Sequence, residues 1–403
     1  MRTAKTLLLF IASGLLLAGC WNRVELNEIA IITATGVDLR DGKWVISYQT
    51  VIPRAISSQG GGSGAAAVNV FSSEADSYRS AISKASQETS RRLYFSHNQI
   101  VIIGQEAARK GLGQLLEVYL RNHDSRETVS VFLSKGNARR MLEQLTPLEQ
   151  IPGAAIHRMI ENEDKNNASF RQMTINNVLM DLLSSTKTTG IPGLTMAGTG
   201  GSADNVRTLG QTSTPTKVRL SNLGLIVEDK LVGWVSDEES GGINWIGDYI
   251  DRTTIGFACS DRKEGKKDSS VRVIRTATDR KPVYADGKWR FDVVIDAEGR
   301  LMEYNCKGDL SKPDEVKRIE LRIGEEIHAI AVEGWKAMIK HKADVAGFGN
   351  LIHKNHPKMW KKEQVNWREH FSESELNVKV NFSLSDTGSS GNNFKQLQED
   401  AAK

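Results

Sequence analysis

Apolar residues recur along this chain with two periods, two residues and about 3.6, and the switches between them predict its elements. Ile29 to Ala34 and Trp44 to Val51 have strand composition, and Asp41-Gly42 between them is a hairpin turn pair. Over Ser77 to Arg92, Tyr78, Ile82 and Ala85 fall on one side of a helix. Gln99 to Gly104 is a short continuous apolar run, as in a strand buried on both faces. Helical spacing returns from Glu106 to Arg121 through Leu112, Leu115, Leu116 and Tyr119, and Thr128 to Leu133 is strand again. Such alternation implies an α/β layer. Asn137 to Ser185 is mainly helical and breaks at Gly190-Ile191-Pro192-Gly193. Thr195 to Thr216 is polar and glycine-rich and reads as a loop or linker. Leu223 to Val227 and Leu231 to Val235 then flank Glu228-Asp229-Lys230 as a hairpin with a three-residue loop.

The last third has the clearest pattern. Val271 to Thr276, Arg290 to Ile295 and Leu376 to Leu384 read as strands. In the last of these Leu376, Val378, Val380, Phe382 and Leu384 face one way, and Asn377, Lys379, Asn381 and Ser383 the other. A long helix from Pro313 to about His341 lies between the second and third strands. Pro313 and Asp314 suit its first turn. Its apolar stripe is Ile319, Ile323, Ile327, Ile330, Ala331, Trp335, Met338 and Ile339. One-sided strands need a cover, so this domain is expected to be an antiparallel sheet packed around that helix.

The first residues follow a different logic. Arg2 and Lys5 precede an apolar stretch from Leu7 to Leu17, and Leu17-Ala18-Gly19-Cys20 closes it. A charged start, an apolar centre and a small-residue cleavage site make a secretory signal. The stretch is too short for a helix that must cross about 30 Å of hydrocarbon. Leu-Ala-Gly-Cys resembles the bacterial lipobox, in which the cysteine takes a diacylglycerol and becomes the first mature residue. The expectation is therefore a lipoprotein anchored through Cys20, with no later stretch of 18 consecutive apolar residues. Trp21, directly beside the lipid, suits either the headgroup level or packing on the body.

Composition changes the picture only modestly. With 403 residues, 39% apolar and 25% charged, the chain has material for two or three domains with cores. The net charge of +4 becomes +2 once Arg2 and Lys5 leave with the leader, which argues against a nucleic-acid surface. Cys259 and Cys306 could pair in an exported protein, but sequence does not show whether they are close enough; buried free thiols are the preferred reading, with pairing left open.

Candidate chemistry is sparse. The segment 57–67, centred on Gly60-Gly61-Gly62-Ser63-Gly64, lacks the Gly-Lys-Ser/Thr end of a phosphate loop and reads as a surface loop. His328, His341, His353, His356 and His370 crowd the last quarter. His353-x-x-His356 invites a metal reading, but no glutamate sits beside either histidine as a zinc helix requires. Glu238-Glu239 and Glu325-Glu326 read as solvated faces. No nucleophile elbow or Cys/His pair stands out. The expectation is no enzyme, no catalytic residue, no metal and no cofactor beyond the lipid on Cys20.

Several stretches together resemble a known family. Leu17-Ala18-Gly19-Cys20 followed by Trp21-Asn22-Arg23-Val24-Glu25-Leu26-Asn27-Glu28 is similar to the start of the Ger(x)C family of spore germination lipoproteins. The hairpin 224–234, the stretch Asp344-Val345-Ala346-Gly347-Phe348-Gly349, then His356-Pro357 and Trp360 are similar to later motifs of that family. The resemblance implies a mixed α+β protein of three α/β domains. Its expected divisions are a signal peptide at 1–19, an N-terminal α/β domain at 20–141 and a middle domain of helices and a hairpin at 142–250. The C-terminal sheet and long helix follow at 251–388, with a disordered tail at 389–403. It further implies the C subunit of a nutrient germinant receptor, lipid-anchored to the outer surface of the spore inner membrane beside membrane subunits A and B. A solute-binding lipoprotein of a transport or sensing system is the competing expectation, and the sheet-and-helix third domain speaks against it. The resemblance supplies no catalytic residues; only Cys20 matches a position of defined chemistry.

Overall fold

In the computed structural model, residues 27–57, 65–121, 125–198, 200–259 and 267–388 are described, with the isolated positions Thr3, Glu25, Gln396 and Gln398. Cys20, Trp21, the leader, Gly60 to Gly64 and nearly all of the expected tail lie outside the described residues. Two sheets organise the rest: one of nine strands and one of four.

The chain opens with β1 (Ile29–Arg40) and β2 (Lys43–Val51), joined as expected at Asp41-Gly42. Both turn residues have positive φ, 51° and 79°, the conformation that matches the twist of paired strands. Next come α1 (Pro53–Ser57), β3 (Val68–Ala75), α2 (Tyr78–Lys84), β4 (Arg92–Tyr94) and β5 (Ile100–Gly104). The helix expected over 106–121 is two, α3 (Gln105–Lys110) and α4 (Gly113–Arg121). Gly111 separates them with φ +133°, and a Cβ there would meet the Asp229 carboxylate at 2.5 Å. Then follow β6 (Ser130–Ser134), α5 (Ala138–Leu142), α6 (Pro152–Asn166), α7 (Ile175–Leu183), β7 (Thr188–Gly198), β8 (Thr216–Val227), β9 (Lys230–Val235) and α8 (Asp237–Gly247).

The large sheet runs β3-β2-β1-β5-β6-β7-β8-β9, with β4 beside the first residues of β1. Its centre is parallel, and each flank is closed by antiparallel hairpins. Every residue of β5 is buried, as its continuous apolar run requires. Ile100 and Ile102 join one core cluster, while Val101 and Ile103 join the other. Helices α2, α3, α4 and α7 cover the second cluster; α5, α6 and α8 line the first. Strands on both sides of the expected 141/142 division are hydrogen-bonded neighbours in this one sheet.

Gly190-Ile191-Pro192-Gly193, expected as a break, instead lies inside β7. Close strand approach explains the composition: a Cβ on Gly193 would sit 2.6 Å from the Ser221 carbonyl oxygen, and one on Gly190 2.8 Å from Leu223. Pro192 sits at a bulge in the β7–β8 ladder. The β8–β9 turn is also tighter than expected, with two residues, Glu228 and Asp229, between the strands.

The small sheet begins with β10 (Thr253–Phe257), β11 (Ser269–Ala285) and β12 (Lys288–Glu303), the last two joined at Asp286-Gly287. Then come α9 (Pro313–His341), α10 (Phe348–Asn355), α11 (Pro357–Glu363), α12 (Trp367–Ser372) and β13 (Glu375–Asp386), in the order β10-β11-β12-β13. The expected all-antiparallel pairing is corrected at one place: β13 runs parallel to β12. The connection through α9 is a long crossover, which returns the chain in the same direction. The long helix itself has the predicted limits. Ile319, Ile323, Ile327, Ala331, Trp335 and Met338 are buried, while Ile330 and Ile339 are half-buried at the edge of the stripe. Helix α9 also crosses α8 at a glycine pair; a Cβ on Gly334 would lie 2.3 Å from the carbonyl carbon of Gly242.

Cys259 and Cys306, expected as free thiols, form a disulfide with Cα atoms 4.9 Å apart. Two strand registers bring them together. Phe257 pairs with Ser269, and Ser270 pairs with Glu303, so the ends of β10 and β12 meet.

Candidate interaction surface

The candidate polar residues fall into separate local contacts. His353 Nδ1 lies 2.6 Å from Ser185 Oγ, and its ring stacks on Trp360. His356 instead lies against Trp289. The two rings of the His-x-x-His pair thus have different neighbours. His370 Nδ1 is 2.6 Å from Glu363 Oε2. His341 packs over Gly233, and burial and Lys340 push its imidazole below the ordinary value. Glu239 closes a capping box with Ser236 at the start of α8, and Glu326 pairs with Lys267 at 2.6 Å. Among the described residues, no group of three or more metal-ligating side chains converges.

Asp344 is the most constrained polar residue and was not singled out from the sequence on its own. It is 2% exposed, at the end of α9. Its Oδ1 accepts from Phe348 N–H at 2.9 Å, and its Oδ2 accepts from Gly349 N–H at 2.7 Å and Trp367 Nε1–H at 3.0 Å. Burial pushes the carboxyl above its usual range, and these N–H groups pull it back. The Thr188 hydroxyl on β7 donates to the Asp344 carbonyl at 2.6 Å, and Arg280 on β11 donates to the Ala346 carbonyl at 2.6 Å. Gly347, with φ +77°, makes the turn into α10. The Asp344 to Gly349 stretch is therefore a junction that ties both sheets to α10.

An open groove of about 550 Å³ lies between α9 and β13. Leu321, Gly324 and His328 form its helical wall, and Val378, Val380 and Phe382 its strand wall. β13 is the edge of the small sheet. Its alternation is as predicted: the apolar residues are half-buried, while Asn377, Lys379, Asn381 and Ser383 are exposed. Asn377 and Asn381 donate to Asp292 and Asp296 on β12 at 3.1 and 2.7 Å. Across the groove, Leu321 is 67% exposed although it faces other apolar side chains. Glu320 Oε1 accepts the Leu384 N–H at 2.8 Å and holds the far end of the strand against the helix. An edge strand beside a wall that sets Leu321 among Lys317, Glu320, Glu325 and His328 suits the addition of an extended segment or the docking of a helix. No helix among the described residues is long and apolar enough to cross a membrane.

The arrangement defines a mixed α+β protein whose open face offers contact area between a helix and an edge strand. Comparison with known proteins narrows the class. Residues 22–196 match the family model described as spore germination protein N-terminal domain. Residues 221–388 match that described as spore germination B3/GerAC like, C-terminal. The chain belongs to this GerAC-like family of spore germination proteins. It is 30% identical over 405 aligned positions to spore germination protein KC of Bacillus subtilis (strain 168), covering 97% of this chain and 98% of that one. Spore germination protein B3 of the same organism is 22% identical, covering 97% of this chain and all of its own length. The crystal structure of the GerBC protein shares the fold, with a TM-score of 0.52 at 18% identity over 87% of this chain and 96% of that one.

Proposed function

We propose that this protein is the lipid-anchored C subunit of a spore germinant receptor. In this reading Cys20 carries a diacylglycerol and an acyl chain, and the body lies on the outer surface of the spore inner membrane. It acts there by contact with the membrane subunits A and B during nutrient-triggered germination, with no catalytic step and no cofactor beyond the lipid. The groove between α9 and β13 carries the reading: it pairs an open strand edge with exposed Leu321, and so offers a partner both main-chain and apolar contact. Membership of the spore germination family supports it. The tether adds to it, because confinement beside membrane partners raises effective concentration and lets modest contacts stay occupied.

Two measurements test it. Leu321→Arg, at an exposed position, should leave folding within about 0.5 kcal/mol of the parent and reduce recovery of the membrane subunits on purification from solubilised spore membranes. Unchanged recovery would remove the groove from the interface. Cys20→Ala should release the protein from the membrane fraction of spores and abolish most of the germination response. A fully membrane-bound Cys20→Ala protein would contradict the single anchor. Micromolar, saturable titration of the body with an amino acid or sugar would favour a solute-binding function instead.

A further inference from the structure

A second open groove, of about 610 Å³, lies between α2, the turn that follows it, and β4. Its lining contains Arg79, Arg91 and Arg92 with Ser83, Ser86 and Ser90, and no carboxylate. All six of these side chains are on exposed residues. The groove floor is apolar, with half-buried Ile82 and Phe95. Guanidinium groups over an apolar floor have the chemistry of a site for phosphate esters attached to acyl chains.

Its position selects the source of that phosphate. β4 pairs in parallel with the first residues of β1: Arg92 is opposite Ile29, and its N–H donates to the Glu28 carbonyl at 3.0 Å. The groove therefore sits where the body meets the segment that leads back to Cys20. Eight residues lie between Cys20 and Ile29, nine steps along the chain. At 3.3–3.6 Å each, nine steps reach at most about 32 Å. One anchor combined with a basic patch is a recognised route to stable membrane attachment.

We infer that the Arg79–Arg91–Arg92 groove binds the headgroups of anionic phospholipids and sets the orientation of the body on the membrane. The inference rests on the lipid anchor at Cys20 for its geometry, but its test does not need that lipid. The protein for the test is the mature chain from residue 20 carrying Cys20→Ala, sedimented with vesicles of phosphatidylcholine alone or mixed with phosphatidylglycerol. Binding should appear with the anionic vesicles and weaken as salt rises. Each arginine near an anionic surface is worth roughly fivefold, so the triple variant R79Q/R91Q/R92Q should lose about a hundredfold in vesicle partitioning. Its thermal melting should match the parent. Equal binding to both vesicle types, or an unchanged triple variant, would overturn the inference. So would full competition by millimolar glycerol phosphate, which would make the ligand a soluble phosphate. Finding no lipid on Cys20 by mass spectrometry of the spore protein would remove the anchor while leaving the vesicle result standing, so the two failures are distinguishable.

Discussion

At the scale of single residues, Asp344 makes the sharpest demand. Its carboxylate satisfies three buried N–H groups at once, and each buried donor left unpaired costs about 1–3 kcal/mol. Asp344→Ala should therefore lower unfolding free energy by about 3 kcal/mol or more in urea titrations; a change under about 1 kcal/mol would mean that water replaces the carboxylate. The pH dependence has a definite sign. Burial raises this carboxyl in the folded state above the value of 3.8 expected of a free aspartate. The native state then holds its proton more tightly than the unfolded chain. Its contribution to stability is complete below the unfolded value and is lost as pH rises through the folded one. The stability difference between parent and Asp344→Asn should fall as pH rises above about 4; a difference that grows would contradict the burial argument. Little of this was legible in advance. The motif around Asp344 was visible as a resemblance and contains Phe348 and Gly349, but its other partners lie on β7, β11 and α12, far apart in sequence. The basic groove is similar in this respect: Arg79 and Arg91 come from different elements, and only the fold gathers them.

Among the elements, α9 was the most legible, because a proline start and a 3.6-residue stripe are local signals. Its energetics should follow the stripe. Ile327→Ala and Trp335→Ala, at 0% and 8% exposure, should each cost about 2–5 kcal/mol. Lys336→Ala, whose side chain is 63% exposed and paired with Glu333, should cost about 0.5 kcal/mol or less. Equal melting shifts for the three would mean that the buried face is assigned wrongly. Other elements were hidden for identifiable reasons. In β7, Gly190 and Gly193 signalled a break, yet they are there to let β8 approach. The parallel pairing of β13 follows from a crossover that alternation along one strand cannot show. The Cys259–Cys306 bridge depends on two strand registers, whereas its sequence separation of 47 carries no such information. Closing a loop of that length should stabilise the fold by about 4 kcal/mol on the chain-entropy account. Reduction, or the double Cys259→Ser and Cys306→Ser variant, should lower the melting temperature accordingly. An unchanged melting temperature under reductant would place the bridge outside the stabilising interactions.

For the whole molecule, the large sheet and the α9–β13 unit share one continuous core, and the Asp344 junction fastens them. On the proposed function, the start of β1 and the edge of β13 are its two working ends: one toward lipid, one toward protein. Half of the protein-facing end was visible as the alternation from Leu376 to Leu384. The other half, Leu321, stands off the helix stripe and gains meaning only beside β13. The most direct test of a contact function places a photo-crosslinking residue at Leu321 in spores, with a control at Leu148, which is 95% exposed and outside the groove. Irradiation should yield an adduct with a membrane subunit of the receptor from position 321 and none from position 148. Adducts of equal yield at both positions, or none at 321, would contradict the account.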